Sequence, residues 1–211
     1  MNNSEITTTM YIGSGDVAAL MAGKETDTHA KLLRRFVSGE KPYYNAKNSP
    51  IDALRTGAIL EERYDKIKTD DYYAQYVVQS TEMDVLKASI DFAKLDAGKV
   101  IDFDELKTVS FDDFLTLQSL AEKPDSQKEI KKRYKKYYYQ IQQQLYCTGI
   151  DEANLVFLVV YSYDDEENYN RDVQPNECLV FRIHRDEEVI NAIKERAQIF
   201  QQIKNYYYDK N

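Results

Sequence analysis

Residues 88–109 read ASIDFAKLDAGKVIDFDELKTV, and the reading of this stretch decides the fold. Asp96-Ala97-Gly98-Lys99 is turn-like, and the runs on either side of it are rich in apolar and β-branched residues. This predicts a hairpin of two strands, Val85–Phe92 and Val100–Val109. Side chains two apart on a strand share a face. Glu105 and Lys107 therefore point the same way, with Leu106 turned into the packing. If the strands pair, Asp91 on the first approaches Glu105 on the second, and two carboxylates meet beside an ammonium. Strict alternation turns Asp102 and Asp104 to the other face; a bulge would make Asp104 a rival.

The flanking sequence sets this hairpin among helices. Upstream, Ser14 reads as the cap of a short helix with Asp16 in its first turn, and Thr28–Ser38 carries Leu32, Leu33 and Phe36 at helical spacing. A third helix is expected from Ser49-Pro50-Ile51 to about Ile67, and a strand over Tyr76-Val77-Val78. Downstream, Thr108 to Glu122 leads into a helix whose start Asp112-Asp113 would cap. Gln127–Tyr146 reads as one long helix with Ile130, Tyr134, Tyr137, Tyr138, Ile141 and Leu145 on one face. Leu155–Tyr163 is a near-continuous apolar run, as in a strand buried on both faces. Cys178–His184 is a further strand, and Glu187 to about Tyr207 a closing helix. The order predicts an α/β fold, a small mixed β-sheet flanked by helices, in a single domain over residues 1–211.

Composition narrows the chemistry. The two cysteines, Cys147 and Cys178, are expected as reduced thiols, and two cannot furnish a four-cysteine cluster. His29 and His184 are too isolated for a histidine-rich zinc site, and there is no nucleophile-elbow motif. Carboxylates and lysines are left as the tools of an enzyme. No apolar run approaches the ~20 residues of a membrane span, and MNNSEITTTMYIGSG lacks the marks of a signal peptide, so a cytoplasmic protein without a membrane partner is expected. The net charge of −8 weighs mildly against nucleic acid. Its distribution is uneven, with KEIKKRYKK at Lys128–Lys136 and DDEE at Asp164–Glu167.

Two acids beside a lysine invite a hard cation such as Mg²⁺, which neutralises phosphate and lowers the pKa of bound water. Lys107 would then hold or deprotonate the attacking water. The plainer reading of Glu105-x-Lys107 is a solvated strand ion pair worth ~0–1 kcal/mol. On the long helix, Arg133, Lys136, Gln140 and Gln144 fall at i, i+3, i+7 and i+11, a mostly basic stripe suited to phosphates or simply to solvent. Lys128, Lys131, Lys132 and Lys135 read as solvated. For Tyr137-Tyr138-Tyr139, core packing is favoured over base stacking, and Tyr206-Tyr207-Tyr208 is left open as a docking element.

The surroundings separate these readings. Gly13-Ser14-Gly15-Asp16, Gly57-Ala58-Ile59-Leu60-Glu61, Ala88-Ser89-Ile90-Asp91, Glu105-Leu106-Lys107-Thr108, and the helix from Gln140-Ile141-Gln142 to Thr148-Gly149 stand in order with suitable gaps. Together they resemble the phage lambda exonuclease and YqaJ-like viral recombinase family of PD-(D/E)xK nucleases. Ile90 stands where the family has proline. The resemblance implies a restriction-endonuclease-like core and digestion of one strand of linear duplex DNA, 5′→3′, with Mg²⁺ (or Mn²⁺) as cofactor. It implies metal binding by Asp91, Glu105 and the Leu106 carbonyl, with Glu61 nearby. Lys107 and Gln140 would act on the nucleophilic water. Ser14 would meet a 5′-phosphate, an anion at a helix start, and Arg133, Lys136 and Gln144 would lie along the DNA. The family's arginine just ahead of the serine has no counterpart in Thr7-Thr8-Thr9-Met10-Tyr11. A homotrimer, duplex DNA ends and a single-strand annealing protein are the partners implied, in phage-type recombination. A restriction- or repair-type endonuclease, or an inactive nuclease-fold binding protein, would use the same frame.

Overall fold

The computed structural model describes residues 10–39, 52–64, 71–161 and 172–209, with side chains from 55 and up to 207 in the outer helices. Ser49-Pro50-Ile51, Thr7–Thr9, the acidic Asp164–Glu167 run and the Tyr208 side chain lie outside it. The described strands are β1 (Ile12–Gly13), β2 (Tyr72–Gln79), β3 (Leu86–Asp96), β4 (Lys99–Ser110), β5 (Glu152–Val160) and β6 (Cys178–His184). The described helices are α1 (Val17–Leu20), α2 (Asp27–Ser38), α3 (Asp52–Tyr64), α4 (Phe111–Ala121), α5 (Ser126–Arg133), α6 (Lys135–Thr148) and α7 (Glu187–Asp209). This is the α/β arrangement expected, a mixed sheet between helices.

The hairpin forms as read. Ala97 and Gly98 both take left-handed backbone, φ 47° and 78°, in a two-residue turn closed by the pair Asp96↔Lys99. β4 then runs parallel to β5 from Asp104↔Asn154 to Ser110↔Val160, and β5 pairs antiparallel with β6. β5 is buried on both faces. Ala153, Leu155, Phe157 and Val159 join a large core with α6 and α7, while Val156, Leu158 and Val160 join a smaller one with Leu60, Tyr64, Phe92 and Leu106.

One irregularity positions the site. β3 meets β4 from Phe92↔Asp104 to Asp96↔Lys99, and on that same side it meets β1 only at Ile12↔Leu86 and Gly13↔Lys87. Between those ladders, at residues 88–91, β3 has no strand partner on that side among the described residues. A fork is left between β3 and β4, and α6 crosses it.

Three expectations need correction. The single helix over Gln127–Tyr146 is two: Tyr134, at φ −117° and ψ 42°, breaks it. The break lets α5 pack on β6 while α6 packs on β3, and the Tyr134 ring lies on Phe157 with centroids 5.2 Å apart. Ser14 caps nothing. It opens a 3-10 turn over Ser14–Asp16, and its hydroxyl is spent on the Ser89 backbone, donating to the carbonyl at 3.3 Å and accepting from the N–H at 3.4 Å. The helix after Thr108 is capped by Ser110, which accepts from Asp113 N; the Asp113 carboxylate accepts from the Ser110 hydroxyl.

Candidate active site

The fork opens into a cleft of about 560 Å³. Ser14, Glu61, Asp91, Glu105, Leu106, Lys107, Lys136 and Gln140 all line it, and so do Ser89 and Tyr137. Asp91 stands at the end of the β3–β4 ladder. Its carboxylate accepts the Leu106 N–H at 2.8 Å, so a side chain continues the pairing where the backbone ladder stops. Across the fork Glu105 is 1% exposed. One of its oxygens, Oε1, receives the Lys107 ammonium and the Gln140 amide; the other, Oε2, receives the Gln144 amide. Lys107 Nζ also lies over the Tyr137 ring, 5.3 Å from its centroid, and Lys136 Nζ lies 4.5 Å from that same centroid.

Glu61 reaches the cleft from α3, on the other side of the sheet. Its carboxylate accepts the Gln75 amide, from β2. Gln75 sits mid-strand with φ 54°, opposite Asp91 by the register of its neighbours Ala74↔Phe92 and Tyr76↔Ile90. Backbone of this kind is costly for a residue with a side chain. No sequence pattern marks Gln75. Tyr137, by contrast, has a signal: it lies three residues before Gln140, on the helix face that turns to the cleft.

The electrostatics follow from three acids sharing one reduced-dielectric cleft. Burial, then the charge of Glu105, holds the Asp91 carboxyl well above the ordinary carboxylate range; Lys107 pulls the other way and loses. Burial also raises Glu61, with Glu105 adding to it and the Gln75 hydrogen bond opposing. Burial opposes the charge on Lys107, but Glu105 and Asp91 outweigh it and push its pKa up. Lys107 is therefore a fixed cation here, while burial and mutual repulsion disfavour the charged forms of Asp91 and Glu61.

A divalent ion beside these carboxyls would relieve that repulsion and favour their charged forms. Among the described residues no three His, Cys, Asp or Glu side chains form a closed cage. Two carboxylates on adjoining strands beside open space would suit a partly hydrated divalent cation rather than a caged one. Asp91 and Glu105 would hold it, with Leu106 at the cleft wall.

Two sequence-expected residues stand elsewhere. Arg133 falls on α5, before the break at Tyr134, and leaves the stripe; exposed, it pairs with Glu129 at 3.3 Å. Gln144 is 0% exposed, beneath the cleft rather than along it. Asp104 is 1% exposed on the opposite face, accepting from Tyr64 at 2.8 Å and Asn154 at 2.9 Å. Lys131 pairs with Asp186 at 2.9 Å, away from the cleft, and Lys128, Lys132 and Lys135 are exposed. Tyr138 is core, while Tyr137 and Tyr139 are partly buried. His29 packs on Phe200, and His184 stands exposed beside Glu152. Neither cysteine is in a disulfide; burial pushes the Cys147 thiol up to about 12, where it is inert.

A six-stranded mixed sheet with an acid pair and a lysine in a fork between strands defines the nuclease-type fold expected above. No protein-family model matches the chain, and no curated protein matches it. Among solved structures, it is similar to an alkaline exonuclease, LHK-Exo from Laribacter hongkongensis. In complex with dAMP that structure has a TM-score of 0.62 and 16% identity, over 98% of this chain and 94% of that one. It is also similar to a phage-related exonuclease from Haemophilus somnus 129PT, with a TM-score of 0.60 and 16% identity, over 95% and 96%. The chain shares the fold of these exonucleases, which are of the kind its motifs resemble. No described helix is long and apolar enough to cross a membrane.

Proposed function

We propose that this chain is a single-domain, Mg²⁺-dependent deoxyribonuclease that degrades one strand of linear duplex DNA from its ends. The observation that carries the reading is Glu105: a carboxylate almost wholly out of solvent, beside Asp91 and Glu61, with Lys107 and Gln140 donating to it at the wall of an open cleft. A solvated strand pair would have no such company. The similarity to exonucleases over nearly the whole chain supports the same reading.

The chain's own residues divide the work. Asp91 and Glu105 supply the oxygens that would hold a divalent ion. Lys107, kept charged by those acids, faces the developing negative charge on phosphate and orients the attacking water. Gln140 holds the same carboxylate from the helix side and can turn its carbonyl oxygen to that water. Lys136 offers a cation to the scissile strand's phosphates. A bound Mg²⁺ would neutralise phosphate charge and acidify water. The 5′→3′ direction, the homotrimer, an annealing partner and a cytoplasmic, phage-type recombination role belong to this proposal by resemblance.

The test uses 5′-phosphorylated linear duplex and sealed circular duplex, each with and without Mg²⁺, beside Lys107→Ala. Shortening of the linear DNA alone, lost without Mg²⁺ and in the variant, is expected. Cutting of sealed circles would replace the exonuclease with an endonuclease. DNA bound but left whole by the wild type would end the catalytic reading.

A further inference from the structure

We infer that Gln144 is a positioning residue: its buried amide bridges the fork between β3 and β4 and fixes the Glu105 carboxylate from below. This rests on the nuclease reading and names a part for that site beyond the residues that line it. Gln144 is 0% exposed, on the buried side of α6 among Ile141, Leu145 and Cys147. Its amide has two N–H donors. One goes to the Ser89 carbonyl on β3 at 2.8 Å, the other to Glu105 Oε2 on β4. These acceptors lie on opposite banks of the fork, beyond the end of the strand ladder at Phe92↔Asp104. The anchor on β3 is itself fixed, since Ser14 also donates to the Ser89 carbonyl.

The amide cannot be reversed without setting its oxygen against two acceptor oxygens. In the orientation that remains, Gln144 Oε1 accepts no hydrogen bond from the described residues. A buried acceptor without a donor is unfavourable. Methionine would fill similar space without that cost, so packing alone does not account for a glutamine here.

The two oxygens of Glu105 are thereby distinguished. Oε2 is held from the interior by Gln144. Oε1 meets Gln140 and Lys107, both of which line the cleft. Those two can withdraw toward substrate when a cation approaches Oε1, while Gln144 keeps the carboxylate plane in place. Outer partners of this kind typically change metal affinity or activity by about 10–100-fold.

Gln143 provides the control. It too is 0% exposed, and its amide spans the Ile12 and Lys87 carbonyls, each at 3.0 Å, without touching Glu105. The experiment titrates Mn²⁺ into metal-free wild type, Gln144→Met and Gln143→Met by calorimetry, then measures kcat and KM on linear duplex at saturating Mn²⁺. Gln144→Met is expected to weaken Mn²⁺ binding by about tenfold or more and lower kcat by a similar factor. Its KM for DNA should stay within about threefold, because Gln144 touches no substrate. Gln143→Met should melt at a lower temperature and keep the wild-type Mn²⁺ affinity. Should Gln144→Met not fold, Gln144→Asn, which keeps the amide but falls a methylene short, carries the same expectation. Wild-type Mn²⁺ affinity and kcat in the Gln144 variant overturn the positioning role, as does an equal loss in Gln143→Met. A wild type that neither binds Mn²⁺ nor cuts linear DNA overturns the nuclease reading instead.

Discussion

Glu105 and Asp104 are neighbours in the chain, each is 1% exposed, and they face opposite sides of β4. Asp104 receives the Tyr64 hydroxyl and the Asn154 amide, and Asn154 is in turn held by Arg182 at 3.0 Å. Burial, then the Asp104 charge, drives the Tyr64 phenol pKa up, so Tyr64 keeps the proton that it donates. Glu105 receives a lysine and two amides but also faces Asp91 and Glu61, both held above their ordinary pKa by burial and by its charge. One carboxylate is closed off by donors inside the protein. The other sits in an acid group with a cleft beside it. Burial of an acid is thus uninformative about function by itself; the sign of its neighbours separates a structural acid from a ligand-seeking one.

The contrast can be broken by experiment. The largest effect is expected on the cleft side, where Glu105→Gln and Lys107→Ala should each lower kcat/KM on linear duplex by about 10²–10⁴-fold while leaving the protein folded. On the other side, Asp104→Ala strands two donors and should cost about 2 kcal/mol, or roughly 4–8 °C in Tm, with the folded fraction still active. If Asp104→Ala abolishes activity in folded protein, the two acids are not separable.

A smaller effect sharpens the contrast through pH. The raised pKa means that folded protein binds the Asp91 proton more tightly than unfolded chain does. Stability from Asp91 is therefore full at low pH and lost as pH rises through its folded pKa. Metal-free Asp91→Asn should melt above wild type at pH 8, by roughly 2–4 °C for each kcal/mol regained, and much less so at pH 5. Scanning calorimetry in chelator at both values decides it. Least affected should be Arg133→Ala, since Arg133 is exposed and, among the described residues, pairs along its own helix with Glu129; stability within about 0.5 kcal/mol and unchanged cleavage are expected.

The hairpin, and the meeting of Asp91, Glu105 and Lys107 at one cleft, were legible because alternation and the Ala97-Gly98 turn are local signals. The doubly apolar β5 was legible for the same reason. The break at Tyr134 was not: no proline or glycine falls between Lys128 and Lys136, and the turn arises where a tyrosine ring meets Phe157 on a distant strand. Nor was the burial of Gln142, Gln143 and Gln144, which a periodicity argument counts as polar. Their amides are tolerated inside because they meet carbonyls of His184, Ile12, Lys87 and Ser89, groups supplied only by tertiary contact. A periodicity stripe through Gln144 misses this burial, and one that includes Arg133 requires a helix unbroken at Tyr134.

Gln75 has a consequence for directed evolution. Glycine would relax its left-handed backbone by about 1 kcal/mol but would remove the amide that Glu61 accepts. Libraries screened for heat tolerance should therefore drift toward glycine at this codon, whereas libraries screened for DNA degradation should keep a side chain there. Position 75 would be the place on the outer strand where the two screens diverge.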